Sequence, residues 1–284
     1  MIIGGSKKQV ISNIQRALAE GNLNKKVELG DPALSSKEKQ ELLLRYGQCK
    51  KGRKYRICNS IACAIRDGVG WSQNRNTIIK GMENLKMVTG GAIITCNHFN
   101  PLDSTIIRKF TRRARKKKLY IISQETNFAM KGFLGFLLKY TDTVPITSDR
   151  NYMQEVFEPF LESLLRRREW VLIYPEQEMW FNYRKPRTPK RGAYYYAAKY
   201  QIPVISCFVE ICDEGKKDTE EFRKVRYTLH ILPPLFPESG KTVRENSIDM
   251  MEKDYEQKKS AYERIYGKKC TYEFAKEDIA GWIG

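Results

Sequence analysis

Residues 91–104 read GAIITCNHFNPLDS, from Gly91 to Ser104. Ala92 to Cys96 form the short apolar run of a buried strand. Asn100-Pro101 then signals a helix start, with asparagine as N-cap and proline at the first helical position. A strand running into a helix is half of a crossover unit, the building block of parallel α/β sheets. His98 falls on the loop leaving the strand, and Asp103 in the first turn of the helix. An imidazole so placed can take a proton from a hydroxyl, while the carboxylate fixes its tautomer and offsets the developing charge. The chain has only two histidines, so a histidine-based acid–base reaction has little other choice. The helix start also offers N–H groups to an oxyanion or a phosphate.

The same alternation continues downstream. Apolar runs predict strands at Ala92–Cys96, Leu119–Ser123, Thr143–Ile146, Trp170–Tyr174, Val204–Val209 and Arg226–Leu232. Helical periodicity predicts helices over 101–117, 128–140, 152–167 and 192–199, and a last polar one over 243–266. Residues 1–85 read as a mostly helical, polar lead-in. Its apolar spacing is clear at Val10, Ile11, Ile14 and Leu18, a second helix starts at Ser35, and a third spans 54–69. The expected architecture is an α/β fold: a mixed, largely parallel sheet flanked by helices, with an N-terminal helical segment. The expected division is 1–85 as that segment, 86–240 as the α/β domain, and 241–284 as a C-terminal helix and tail packing on it.

Composition bounds the function. The chain has 284 residues, 41% of them apolar and 11% aromatic, enough for a folded core. A formal net charge of +18 points to polyanionic partners such as an anionic membrane, phosphorylated substrates or nucleic acid. Seven cysteines, an odd number without metal spacing, suit a reduced, cytoplasmic chain and predict no metal site. No window approaches the ~20 apolar residues of a membrane span, so any membrane contact is expected at the surface.

A second informative stretch, Val171–Trp180, reads VLIYPEQEMW and ends its strand in Pro175-Glu176. Loops at the carboxyl ends of strands are where open α/β sheets bind ligands. Beyond it, Arg184, Lys185, Arg187, Lys190 and Arg191 follow without an acid among them. Such residues suit a phosphate headgroup, or make a solvated basic loop.

Together these blocks resemble the glycerolipid acyltransferases typified by 1-acyl-glycerol-3-phosphate (lysophosphatidic acid) acyltransferase. The family's Asn-His-x4-Asp is met by Asn97, His98 and Asp103, and its strand ending in arginine by VPITSDR with Arg150. Its Phe-Pro-Glu-Gly-Thr-Arg corresponds to Tyr174, Pro175 and Glu176, and its Ile-Pro-Val strand to Ile202, Pro203 and Val204. Lys190-Arg191-Gly192-Ala193 resembles the family's lysine–glycine step. The resemblance spans residues 85–237 in order, with two residues extra before Arg150. Gln177-Glu178-Met179 replaces Gly-Thr-Arg, so the arginine that usually helps hold the acceptor phosphate is absent from its place.

The resemblance implies direct acyl transfer from acyl-CoA or an acidic acyl-carrier protein, as co-substrate, to a lysolipid hydroxyl, with no cofactor. His98 would be the general base and Asp103 its orienting partner. Helix-start N–H groups, with Asn97 and Asn100 in support, would hold the oxyanion. Arg150, Glu176, Arg184, Arg187, Lys190 and Arg191 would form the acceptor and phosphate site. A glycolipid or other amphiphile is the alternative acceptor. Cys96 invites a Cys–His acyl-enzyme, but its strand position favours a buried thiol. The basic run 108–118 is a candidate for anionic lipid, an acidic carrier or CoA phosphates. Helix 128–140 is a candidate acyl channel or shallow membrane dip. Peripheral attachment to the inner face of the cell membrane is expected. A non-catalytic nucleic-acid-binding protein is the remote alternative, and no stacking platform or motif supports it.

Overall fold

A computed structural model describes residues 7–30, 32–50, 52–116 and 118–284. Seven strands form one sheet: β1 (Ile78–Lys80), β2 (Ala92–Thr95), β3 (Tyr120–Gln124), β4 (Thr143–Ile146), β5 (Trp170–Ile173), β6 (Val204–Lys217) and β7 (Arg223–Ile231). Their order is β1-β7-β6-β2-β5-β3-β4. Every neighbouring pair is parallel except the β6–β7 hairpin. The mixed, largely parallel sheet expected from the sequence is the one formed.

β2 is central, with all four residues buried, and pairs with β5 on one side and β6 on the other. Its side chains alternate between the two faces, as the period of two requires. Ala92, Ile94 and Cys96 join Phe99, Ile106, Ile107 and Phe110 in one core. Ile93 packs oppositely with Ala193, Tyr194, Ala197, Val204 and Met250. The first face carries helix α4 (Ser104–Arg113), the second α8 (Gly192–Lys199) and α9 (Val243–Tyr266).

The predicted elements differ from the observed ones in instructive places. The helix expected to start at Pro101 begins at Ser104, because residues 101–103 form a turn; the predicted end at Lys117 lies outside the described residues. The helix expected over 128–140 splits into a 3-10 turn, Glu125–Ala129, and α5 (Gly132–Tyr140). Gly132 takes the left-handed φ of 72°, and a Cβ on Gly135 would fall 1.9 Å from the Met130 carbonyl oxygen. The break therefore depends on two glycines. The helix over 152–167 is interrupted by a π turn at Met153–Phe157, between α6 (Arg150–Tyr152) and α7 (Glu158–Arg166). Pro159 near the start of α7 has no N–H to donate one turn back. The segment read as mostly helical, 1–85, also contains β1, not expected there, besides α1 (Lys8–Ala19), α2 (Ser36–Lys50) and α3 (Arg53–Gln73). Three residues are too few to show a strand period.

Under β2 lies a buried polar knot. Asp254 of α9 accepts from Lys258 Nζ at 2.8 Å, Thr95 Oγ1 at 2.9 Å and Tyr194 Oη at 2.5 Å. Burial would raise the Asp254 carboxyl, but the Lys258 ammonium and these hydrogen bonds hold it below the ordinary aspartate range. The knot ties α9 and α8 to the strand that carries His98. Removing one partner strands a buried charge, which costs about 3–5 kcal/mol. Lys258→Met is therefore expected to lower unfolding stability by about that amount, read from urea melts.

Candidate active site

The sheet register builds the site. In the parallel β2–β5 pair, Thr95 lies opposite Ile173. His98 and Glu176, each three residues further along, leave the sheet side by side at its carboxyl edge. Asn97 continues the ladder with its side chain: Nδ2 donates to the Val209 carbonyl at 3.1 Å, and Oδ1 accepts from the Val209 N–H at 2.8 Å. A primary amide here mimics a peptide group, so β2 stays bonded to β6 while its main chain turns away. Asn97 thus supports the loop and is committed to Val209, not to an oxyanion.

Asp103 closes the loop on itself. Its Oδ2 accepts from His98 Nδ1 at 2.8 Å, Phe99 N–H at 3.0 Å and Asn100 N–H at 3.3 Å. Its Oδ1 accepts from the Tyr174 hydroxyl at 2.5 Å. The carboxylate is 4% exposed, so these donors replace its water. A carboxylate can only accept, so Nδ1 carries the proton and Nε2 the lone pair. Tyr174 also stacks on the imidazole, ring centroids 4.0 Å apart and 16° from parallel. Burial, and then the neighbouring Asp103, push the Tyr174 hydroxyl far above its ordinary value. It therefore remains a donor.

Glu176 serves the scaffold. Its Oε2 accepts from the His98 N–H at 3.3 Å and pairs with Arg187 at 2.9 Å, and its Oε1 accepts from the Arg187 N–H at 2.9 Å. Arg187 lies over the Trp180 ring at 4.6 Å and donates to the carbonyls of Leu23 and Glu178. Its side chain is 1% exposed. Asn24 joins the same knot through the carbonyls of Glu176 and Thr188. The loop after α1 thereby braces the loop after β5.

A cavity of about 420 Å³ opens beside His98. One stretch of its wall is apolar, with Ile122, Met130, Leu134, Leu137, Leu138 and Phe157. The helix expected to provide an acyl channel does line it, through Leu134, Leu137 and Leu138 of α5. The lining also includes Ser104, Tyr174, Gln177, Glu178, Met179 and Lys190, together with Glu28 from the N-terminal segment.

The expected acceptor residues scatter. Lys190 lines the cavity, while Glu176 and Arg187 are locked together beneath it. Arg184 is held by Asp213 at 2.5 Å and by the carbonyls of Ile211 and Glu277, away from the cavity. Arg150, in α6, and Arg191 are exposed and outside the lining. Asn100 Oδ1 accepts from the Leu102 N–H at 3.0 Å, a turn-forming bond in place of the expected helix cap. The N–H groups of residues 99, 100, 102, 103, 105 and 106 all have partners within the loop or first turn. The expected oxyanion donors are therefore largely spent. Cys96 is buried and donates to Asn97 Oδ1, and burial pushes its thiol far up, which suits a structural thiol.

The basic run is also largely engaged. Arg108 and Arg112 face Asp67 at 3.6 and 3.0 Å, and Lys109 donates to the carbonyls of Asn74 and Thr77 at 2.7 and 2.8 Å. Lys116 reaches the Arg168 carbonyl, and Lys118 lies 3.8 Å from Asp142; Lys117 is outside the described residues. Five of the eight cations in this run thus make contacts among α3, α4 and the loops, while Arg113 and Arg115 are exposed. Sequence reasoning passed over Glu28 and the hydroxyl of Tyr174. Glu28 is remote in sequence from every motif, whereas the tyrosine in a Phe-Pro-Glu position was a signal open to reading.

None of the curated proteins matches the chain in sequence. Among solved structures the chain is similar to the 1-acyl-sn-glycerophosphate (LPA) acyltransferase PlsC from Thermotoga maritima. That likeness has 17% identity and a TM-score of 0.49, covering 81% of this chain and 88% of that one. Residues 76–210 match the family model described as Acyltransferase. β1 to β5, the first half of β6, His98 and Asp103 lie inside that match, so over this stretch the chain is similar to the acyltransferase family.

Proposed function

We propose that this acyltransferase moves a fatty acyl group from an acyl thioester, acyl-CoA or acyl-carrier protein, to a hydroxyl of a lysophospholipid-type amphiphile. The observation that carries the reading is the His98–Asp103 pair opening on a cavity with a long apolar wall. Nε2 takes the acceptor hydroxyl's proton as its oxygen bonds to the thioester carbon. The tetrahedral intermediate then breaks its C–S bond, and the leaving thiolate recovers the proton from the imidazolium. Asp103 offsets the imidazolium charge, and the stacked Tyr174 ring offers its π face to it. With most helix-start amides engaged, the Ser104 hydroxyl and Lys190, both on the lining, are the donors assigned to the oxyanion in this reading. Each acyl CH₂ buried against the apolar wall contributes about 0.8 kcal/mol to donor binding.

A peripheral membrane setting accompanies this reading. Among the described residues no helix is long and apolar enough to cross a membrane. Ile57, Ile61 and Trp71 of α3 and Phe133 of α5 are 62%, 49%, 70% and 54% exposed. The α3 residues recur near helical spacing, and the exposed Arg53, Lys54 and Arg56 begin the same helix. Apolar anchors beside cations suit an anionic lipid surface such as the cytoplasmic leaflet.

His98→Ala is expected to lower kcat at least about 10²-fold with an unchanged melting temperature, and Asp103→Asn to fall in the range of about 10²–10⁴-fold. A thiol-release assay with acyl-CoA and lysolipid checks both, and near-normal turnover in His98→Ala would sink the mechanism. Tyr174→Phe keeps the stack and deletes the bond to Asp103. About a tenfold loss in kcat is expected, with KM little changed, since a bond to a charged group is worth about 1.5–3 kcal/mol. For the membrane, Ile57→Glu with Trp71→Glu should weaken co-sedimentation with anionic vesicles about tenfold or more, and undiminished sedimentation would refute that surface.

A further inference from the structure

Pro175, Gln177, Glu178, Met179 and Lys190 of the cavity lining all belong to one loop, which leaves β5 and returns at α8. Its two ends lie together. The Lys190 N–H donates to the Pro175 carbonyl at 2.7 Å, and the Arg187 N–H to Glu176 Oε1 at 2.9 Å. A loop whose ends meet in this way is an Ω-loop, held by side chains and not by a ladder. The returning limb is poorly equipped for a ladder, because Pro186 and Pro189 have no N–H to give.

The neck is closed by a side chain 152 residues upstream of Glu176. Asn24 Nδ2 donates to the Thr188 carbonyl at 2.8 Å and to the Glu176 carbonyl at 3.3 Å, one on each limb. Both partners only accept, so the amide presents its nitrogen there. The sequence prepares that donor. α1 ends in a Schellman motif, in which the Asn22 N–H reaches the Ala17 carbonyl and the Gly21 N–H that of Leu18, with Gly21 at a φ of +66°. Asn22 Oδ1 then accepts from the Asn24 N–H at 3.3 Å, which turns the chain toward the loop. On either side of Asn24, the carbonyls of Leu23 and Lys25 accept from Arg187 and Trp180.

Apolar packing carries the attachment as a whole, since Ile14, Ala17 and Leu18 of α1 share a core with Trp180, Phe181 and Tyr183 of the loop. Removing the Asn24 amide therefore leaves the fold in place and frees the neck. Lys190 lies two residues beyond Thr188, and its reach into the cavity starts from the main chain held there. Resting on the reading of Lys190 as a donor to the oxyanion, we infer that Asn24 is a positioning residue of the reaction. By tying the two limbs of the neck, it fixes the backbone from which Lys190 acts, so the N-terminal segment supports the chemistry directly.

The test measures kcat, KM and melting temperature of the full chain in the thiol-release assay. The donor is palmitoyl-CoA, and the acceptor whichever of 1-acyl-glycerol-3-phosphate and 1-acyl-3-glucosyl-glycerol turns over faster. Asn24→Ala is expected to lower kcat about tenfold with KM changed less than about twofold, since a small misplacement of a reacting group costs up to about 10²-fold. Lys190→Ala should cost roughly 10²-fold in kcat. Adding Asn24→Ala to it should cost nothing further, because both act through one group. Asn24→Asp keeps the shape, removes the donor and should match Asn24→Ala. Full kcat in either Asn24 variant, or losses that multiply in the double variant, overturns the inference and leaves Lys190 and His98 in their roles. A melting temperature lowered by about 10 °C or more in both Asn24 variants marks a purely structural residue and overturns it as well. Full kcat in Lys190→Ala overturns the inference together with the role of Lys190, and leaves His98 as the base. Transfer to neither acceptor by the wild type overturns the acyl-transfer reading and the inference with it.

Discussion

The carboxylate of Asp103 is the constraint on which the site depends. It is buried, and a buried carboxylate must be met by donors or it will not stay ionised. The donors here are the amides of Phe99 and Asn100, the His98 ring and the Tyr174 hydroxyl. Three come from the loop after β2, and the fourth from the end of β5. One anion thus folds the loop, fixes the imidazole tautomer and couples two strands. The same bonds explain why the helix start has few amides left for an oxyanion: its first N–H groups are already consumed in holding the base.

Glu176 plays the matching part on the other side of His98. It accepts from the His98 amide and from the Arg187 amide and guanidinium. A family-like Pro-Glu step therefore survives here as a brace. The arginine it holds is turned inward, against Trp180 and the carbonyls of the N-terminal loop. Bringing Arg187 out to a substrate would leave Glu176 buried and uncompensated, a loss of several kcal/mol. The positive charge of this loop is structural for that reason.

Much of this was legible in the sequence, and the limits have physical causes. The alternation of apolar runs and helical periods gave six strands near their observed places, because buried parallel strands need continuous apolar residues. β1 escaped because three residues carry no period. His98 and Asp103 were readable because both lie within one strand-to-helix turn, where spacing fixes distance. Arg184 and Arg187 were not, since neither spacing nor charge tells whether a guanidinium faces solvent, substrate or a carboxylate such as Asp213 or Glu176. Glu28 was invisible because it reaches the cavity only through tertiary packing of the loop carrying Asn24. The contacts of the run 108–118 were hidden for a similar reason: Asp67, which collects Arg108 and Arg112, lies about forty residues upstream on another helix.

Net charge and local charge therefore say different things about this chain. A total of +18 is a long-range property, useful for drawing a basic protein to an anionic membrane, and it acts through solvent within about a Debye length. Recognition of an acceptor head happens inside the cavity, where the groups within a few ångströms decide. There much of the charge is already paired, Arg66 with Asp67 and Asp142, Glu28 with Lys7, and Asp103 with His98. On the proposed reading, membrane attraction and acceptor choice rest on different residues of one fold.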